Sequence, residues 1–119
     1  MSRLRFILAA CAVALVAAAG SSAATPKLIG KTGPDSAFTI TLTKGGKKVK
    51  TLPAGKYVII VKDTASTHDF HLKGPGVDKK TSVAGKGTKT WKVTLKKGKY
   101  TYVCDPHAKL GMKGSFTVT

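Results

Sequence analysis

Beyond the first two dozen residues the chain alternates apolar and polar positions at period two, and no stretch carries a sustained helical stripe. In SAFTITLT, Phe38, Ile40 and Leu42 share one parity, and Gly45-Gly46 follows as a turn. KYVIIVK at 56–62 is β-branched and largely apolar, the composition of a strand buried from both sides or nearly so. STHDFHL also reads as a strand, whereas GPGVDKK and Gly85-Lys86-Gly87 read as loops. The clearest alternation lies in TWKVTLKKGKYTYVC. Trp91, Val93 and Leu95 form one face there, and Tyr100, Tyr102 and Cys104 share a parity across Lys97-Gly98-Lys99. SFTVT supplies a closing strand with Phe116 and Val118 on one side. About seven strands with turn signals between them predict an all-β fold, a two-sheet Greek-key sandwich or barrel.

The N-terminal segment follows a different rule. Arg3 and Arg5 precede an apolar run from Phe6 to Ala19 and then small residues, the layout of a secretory signal peptide. The run is shorter than the roughly 20 residues that a spanning helix needs. Cleavage after Ala24 is expected, which leaves residues 25–119 as one small domain, expected to act as a monomer. Leu8-Ala9-Ala10-Cys11 superficially matches a lipoprotein processing box, but the apolar run continues well past that cysteine. The mature protein is thus expected to be exported, to the periplasm or the extracellular space.

Export changes the meaning of the remaining cysteine. Cys11 leaves with the leader, so Cys104 is the sole thiol of the mature chain and has no internal disulfide partner. An unpaired thiol in an oxidising compartment needs a use or a hiding place, and a metal supplies both.

Charge adds a second constraint. The whole chain carries 21 basic residues against five acidic ones, a net charge of +16, and both arginines lie in the leader. Lysines in KGGKKVK and LKKGK read first as a solvated face that guards sheet edges. Their functional reading is steering toward an acidic redox partner or an anionic membrane surface, which raises encounter rate more than affinity. Nucleic acid is not expected as a partner, because no binding motif accompanies the charge and export removes the target.

The chemistry concentrates in YVCDPHAKLGMKGSF. Cys104, His107 and Met112 place three soft or borderline ligands within one short stretch, with Pro106 and Gly111 and Gly114 shaping the loop that holds them. Thiolate and imidazole bind copper in either oxidation state, and a thioether adds a weak axial contact. Zinc has little use for the methionine. A second imidazole is available upstream as His68 or His71. Three residues apart on a strand, these two face opposite ways, so only one can join the cluster.

These residues carry a resemblance. The C-x2-H-x4-M spacing of Cys104, His107 and Met112 resembles the ligand loop of small blue-copper proteins, with a loop length like that of the plastocyanins. LPAGKYVIIVKD, HDFHLKGPGV and TWKVTLKKGKYTYVCDPH resemble cupredoxin strands, so the similarity covers roughly residues 36 to 119. The resemblance implies one type 1 copper ion held by His68, Cys104, His107 and Met112, with His71 left to packing or the surface. It also implies that His107 lies near the surface as the electron's exit, with Pro106, Ala108 and Leu110 as an apolar docking patch. One position departs from the family pattern. Cupredoxins commonly carry asparagine after the upstream histidine, where it ties the two ligand loops together, and this chain has Asp69. A carboxylate has no amide donor.

The expected function is therefore one-electron transfer between redox proteins, with copper storage or delivery as the alternative. Catalysis is not expected. A copper oxidase or nitrite reductase needs a second centre with further histidines, and the chain has three in all.

Overall fold

The computed structural model describes residues 24–119, so the expected leader lies almost wholly outside the described residues. Ten strands form among the described residues: β1 (Lys27–Thr32), β2 (Ile40–Lys44), β3 (Lys47–Lys48), β4 (Thr51–Leu52), β5 (Gly55–Asp63), β6 (His71–Gly74), β7 (Val77–Lys80), β8 (Gly87–Leu95), β9 (Gly98–Val103) and β10 (Lys113–Val118). They pair into two five-stranded sheets, in the orders β3-β2-β1-β5-β8 and β4-β10-β9-β6-β7. The all-β sandwich expected from the alternation is the fold observed.

Alternation explains the packing. Along β5, Tyr57, Ile59, Val61 and Asp63 are buried while Val58 and Ile60 are half-buried, so this strand turns one face to the core and keeps the other partly covered. Leu28, Leu42, Val93 and Leu95 join it from the same sheet. The opposing sheet contributes Leu72, Tyr100, Tyr102, Phe116 and Val118, joined by Phe70 from the connection just before β6. The aromatic rings stack in pairs, Phe70 on Tyr102 with centroids 5.7 Å apart and Tyr100 on Phe116 at 5.2 Å. Each fully buried side chain of this size contributes on the order of 1.5–3 kcal/mol.

The strand count exceeds the expected seven for physical reasons. β3 and β4 are two-residue pieces at sheet edges. β7, read as loop for its glycine, lysine and proline, is an edge strand, where exposed lysines block further pairing. β1 pairs in parallel with β5. That partner is distant in sequence.

Register sets where the loops gather. Thr32 of β1 lies opposite Asp63 of β5, and Val103 of β9 lies opposite both His71 of β6 and Lys113 of β10. The segments after β1, β5 and β9 and before β2, β6 and β10 therefore meet at one end of the sandwich.

Candidate metal centre

Two segments at that end carry the expected ligands. The sequence pattern puts His68 on a strand, but it lies in the irregular connection 64–70 that precedes β6. Side-chain bonds there replace the ladder. The Asp35 carboxylate accepts from the backbone N–H groups of Ser66 (2.7 Å) and Thr67 (3.0 Å) and from both of their hydroxyls. Phe70 N–H donates to Thr81 Oγ1 at 2.9 Å, and that hydroxyl donates to Asp63 at 3.2 Å. The backbone around His68 is thus held from both sides.

The second segment starts where β9 ends. Cys104 leads into a 3-10 turn, Asp105–Leu110, with Pro106 in its first positions, where a missing N–H costs nothing. Gly111 closes the turn at φ 90°, a left-handed conformation that favours glycine. Gly114 serves differently from a backbone hinge: a Cβ there would fall within the Tyr102 ring. Cys104 N–H donates to the Met112 carbonyl at 3.0 Å and Met112 N–H to the His107 carbonyl at 3.3 Å, so the loop closes on itself through its three candidate ligands.

Three of the four expected donors converge. His68 Nδ1 and His107 Nδ1 are 2.9 Å apart, and Cys104 Sγ lies 3.6 Å from the first and 3.4 Å from the second. A point equidistant from the three is about 1.9 Å from each, close to the roughly 2.0 to 2.3 Å of imidazole and thiolate bonds to a first-row metal. Two ring nitrogens and a sulfur grouped this closely are a donor set that one cation would satisfy together once the thiol has given up its proton. The far edge of His68 supports this orientation: Nε2 is buried without a partner, so Nδ1 is the engaged edge. Met112 is fully buried at the same end, and it stands outside the main apolar cluster.

A metal at this point must compete with a proton on the sulfur. Burial pushes the Cys104 thiol up, while backbone N–H groups of Asp69 and His107 directed at the sulfur oppose that rise. The free thiol is protonated at neutral pH, and a metal would displace the proton.

Sequence reasoning missed two features. Phe38, which shares the parity of Ile40 and Leu42, is 59% exposed and packs on the imidazoles, with ring centroids 4.7 Å from His107 and 5.9 Å from His68. The strand β2 begins only at Ile40. The second feature is a carboxylate network beside the sulfur. Asp69 Oδ1 accepts from Asp105 N–H at 2.6 Å, so the tie between ligand segments survives with a carboxylate in place of the amide. Burial raises the Asp69 carboxyl to about 6. His71 does not join the cluster. It is buried, with Nδ1 2.8 Å from Asp105 and Nε2 2.5 Å from Asp78.

The fold and these donors define a small copper protein of the cupredoxin type. Residues 36–119 match the family model described as copper binding proteins, plastocyanin/azurin family, and the chain belongs to that family. Among solved structures it is similar to rusticyanin from Thiobacillus ferrooxidans, at 21% identity and a TM-score of 0.58, covering 80% of this chain and 77% of that one. It is also similar to auracyanin from the photosynthetic bacterium Roseiflexus castenholzii, at 19% identity and a TM-score of 0.57, covering 81% of this chain and 98% of that one. No curated protein matches. One copper ion is the cofactor that family and donor set together support.

Proposed function

We propose that this protein is an exported type 1 copper electron carrier that shuttles one electron between redox proteins outside the cytoplasm, with His68, Cys104 and His107 as the principal ligands and Met112 as the weak fourth. The observation that carries the reading is the convergence of two imidazole Nδ1 atoms and one thiol on a single point. Copper, when bound, supplies the one-electron couple; thiolate and imidazole serve both of its oxidation states.

The protein's contribution is to hold the donors still. Cys104 gives up its proton on binding and keeps two backbone N–H groups directed at its sulfur. Asp35, Asp69 and Thr81 fix the backbone around His68, and the closed 3-10 loop fixes His107. Little rearrangement then accompanies gain or loss of an electron. His107 is half-buried, and Phe38, Pro106 and Leu110 are exposed beside it or on its loop. Together with Ala108 they offer an apolar patch for brief docking of a redox partner, which a small and weak contact suits. The excess of lysine steers an acidic partner, or an anionic membrane surface, toward a monomeric carrier. Catalysis has no place in this reading, because the third histidine, His71, is engaged by carboxylates.

The test is an absorption spectrum after Cu(II) addition, with Cys104→Ser beside the wild type, followed by stopped-flow reduction and reoxidation. A carrier gives an intense visible thiolate band that disappears in the variant, and fast reversible one-electron cycling. A colourless Cu(I) protein that readily surrenders its metal would instead establish storage or delivery and overturn the proposal.

A further inference from the structure

We propose that His71 is a positioning residue for the copper-ligand loop: gripped between Asp105 and Asp78, it latches the segment carrying Cys104 and His107 to the β6–β7 hairpin. The inference rests on the copper-centre reading above.

The loop needs such a latch. The Asp105–Leu110 turn buries none of its residues, so it has no apolar anchor of its own in the core. Its position depends on polar ties, and two of them meet at Asp105, the residue after Cys104. The Asp105 N–H donates to Asp69 Oδ1 at 2.6 Å, and both Asp105 carboxylate oxygens lie within 2.9 Å of His71 Nδ1. Backbone and side chain of one residue are thus held by the same upstream segment, Asp69 to His71.

His71 is placed to transmit the restraint. It lies between two strands, opposite Val103 of β9 and Lys80 of β7, and its side chain is only 9% exposed. Its other nitrogen is 2.5 Å from Asp78 Oδ1, on a side chain that is 74% exposed. The imidazole cannot turn without breaking its contact with a carboxylate at both ends. The Asp78 carboxyl is held below the usual carboxylate range chiefly by its hydrogen bond with His71, in keeping with a formed contact. If His71 merely filled space, Asp78 on an exposed edge hairpin would be dispensable. If it is a latch, Asp78 reaches the metal through two contacts.

The full-length, copper-loaded protein decides between these. Asp78→Ala, His71→Ala, His71→Gln and the double variant His71→Ala/Asp78→Ala are compared with Lys79→Ala, an exposed neighbour on the same hairpin. The readouts are the thiolate-to-copper absorption band and the rate of copper loss to a chelator. A latch predicts that Asp78→Ala and His71→Ala lose copper about 10-fold faster, as loss of a supporting contact commonly does, with a shifted band. His71→Gln recovers part of the loss, Lys79→Ala behaves as wild type, and the double variant is no worse than His71→Ala, because Asp78 acts only through His71. The proposal is overturned if Asp78→Ala matches Lys79→Ala, or if the two substitutions add in full. Should His71→Ala fail to fold, the surface variant Asp78→Ala still separates a latch from a space-filler. A wild-type protein without a thiolate band overturns the copper-centre reading and the latch with it, whereas a normal wild-type band that Asp78→Ala leaves unchanged overturns the latch alone.

Discussion

Replacing Asp69 by asparagine should stabilise the metal-free protein at neutral and alkaline pH and do almost nothing in acid. Asp69 is 1% exposed, its Oδ1 accepts from Asp105 N–H, and its side chain also meets the Asp105 carboxylate and, with a smaller effect, the Cys104 thiol. A protonated Asp69 can satisfy both neighbours, accepting from the N–H and donating to the carboxylate. An ionised Asp69 can only accept. Burial, the largest cause, and the facing Asp105 therefore raise its carboxyl from 3.8 to about 6 in the folded state. The sign follows from linkage. Because the folded state binds this proton more tightly, the group's contribution is fully present below pH 3.8 and is lost as pH rises through about 6. A shift of that size at about 1.36 kcal/mol per pKa unit is on the order of 3 kcal/mol. Asp105 is shifted the opposite way, chiefly by the bond with Asp69, and it offsets part of the wild-type slope. Asparagine offers acceptor and donor at every pH. Urea unfolding of metal-free wild type and Asp69→Asn at pH 4, 6 and 8 should show a gain approaching 3 kcal/mol at pH 8 and near zero at pH 4, on the same linkage estimate. A variant no more stable than wild type at pH 8, or equally stabilised at pH 4, would refute the reasoning.

The same substitution in the copper-loaded protein should raise the reduction potential, since a negative charge beside the thiolate favours Cu(II); voltammetry showing no change or a decrease would contradict this. Gly114→Ala should lower thermal stability by about 1–3 kcal/mol, because the added methyl collides with the Tyr102 ring. Denaturant midpoints with unchanged m-values check it. Phe38→Ala should leave the melting temperature of the metal-free protein nearly unchanged, the side chain being 59% exposed. It should nonetheless speed copper loss to a chelator by roughly 10-fold, and an unaltered rate would show that the ring shields nothing.

Legibility in the sequence tracked locality. Cys104, His107 and Met112 share one loop, so their spacing exposed them, and the alternation in TWKVTLKKGKYTYVC exposed the strands on which that loop stands. His68 was harder. Strand parity allowed either His68 or His71 and only resemblance chose between them, because the connection 64–70 is shaped by side chains outside it, Asp35 and Thr81, the first of them distant in the chain. KLIGKT looks undistinguished until its parallel partner, β5, is alongside it. Phe38 was opaque for a different reason: period two carries no information about where a strand begins, and β2 begins two residues after the ring that covers the imidazoles.

The distribution of acidic residues shows what the lysine excess leaves behind. The chain has five acidic side chains, all aspartate, and every one bonds within or next to the ligand segments. Asp35 holds Ser66 and Thr67, while Asp63 holds Ala65 and Thr81. Asp69 holds the backbone after Cys104, and Asp78 and Asp105 hold His71. Among the described residues a single lysine, Lys86, comes within 4 Å of a carboxylate, at 3.9 Å from Asp35 and well exposed, where such a pair contributes little. The two populations of charge therefore have separate work. Carboxylates order the end that carries the proposed ligands, where each has a defined donor, while the strand lysines face solvent, Lys73 and Lys80 near enough to Asp78 to help hold its carboxyl down. A surface arranged this way should tolerate loss of individual lysines without loss of fold, whereas each aspartate cut back to alanine removes a hydrogen bond at the end of the sandwich that carries the proposed ligands.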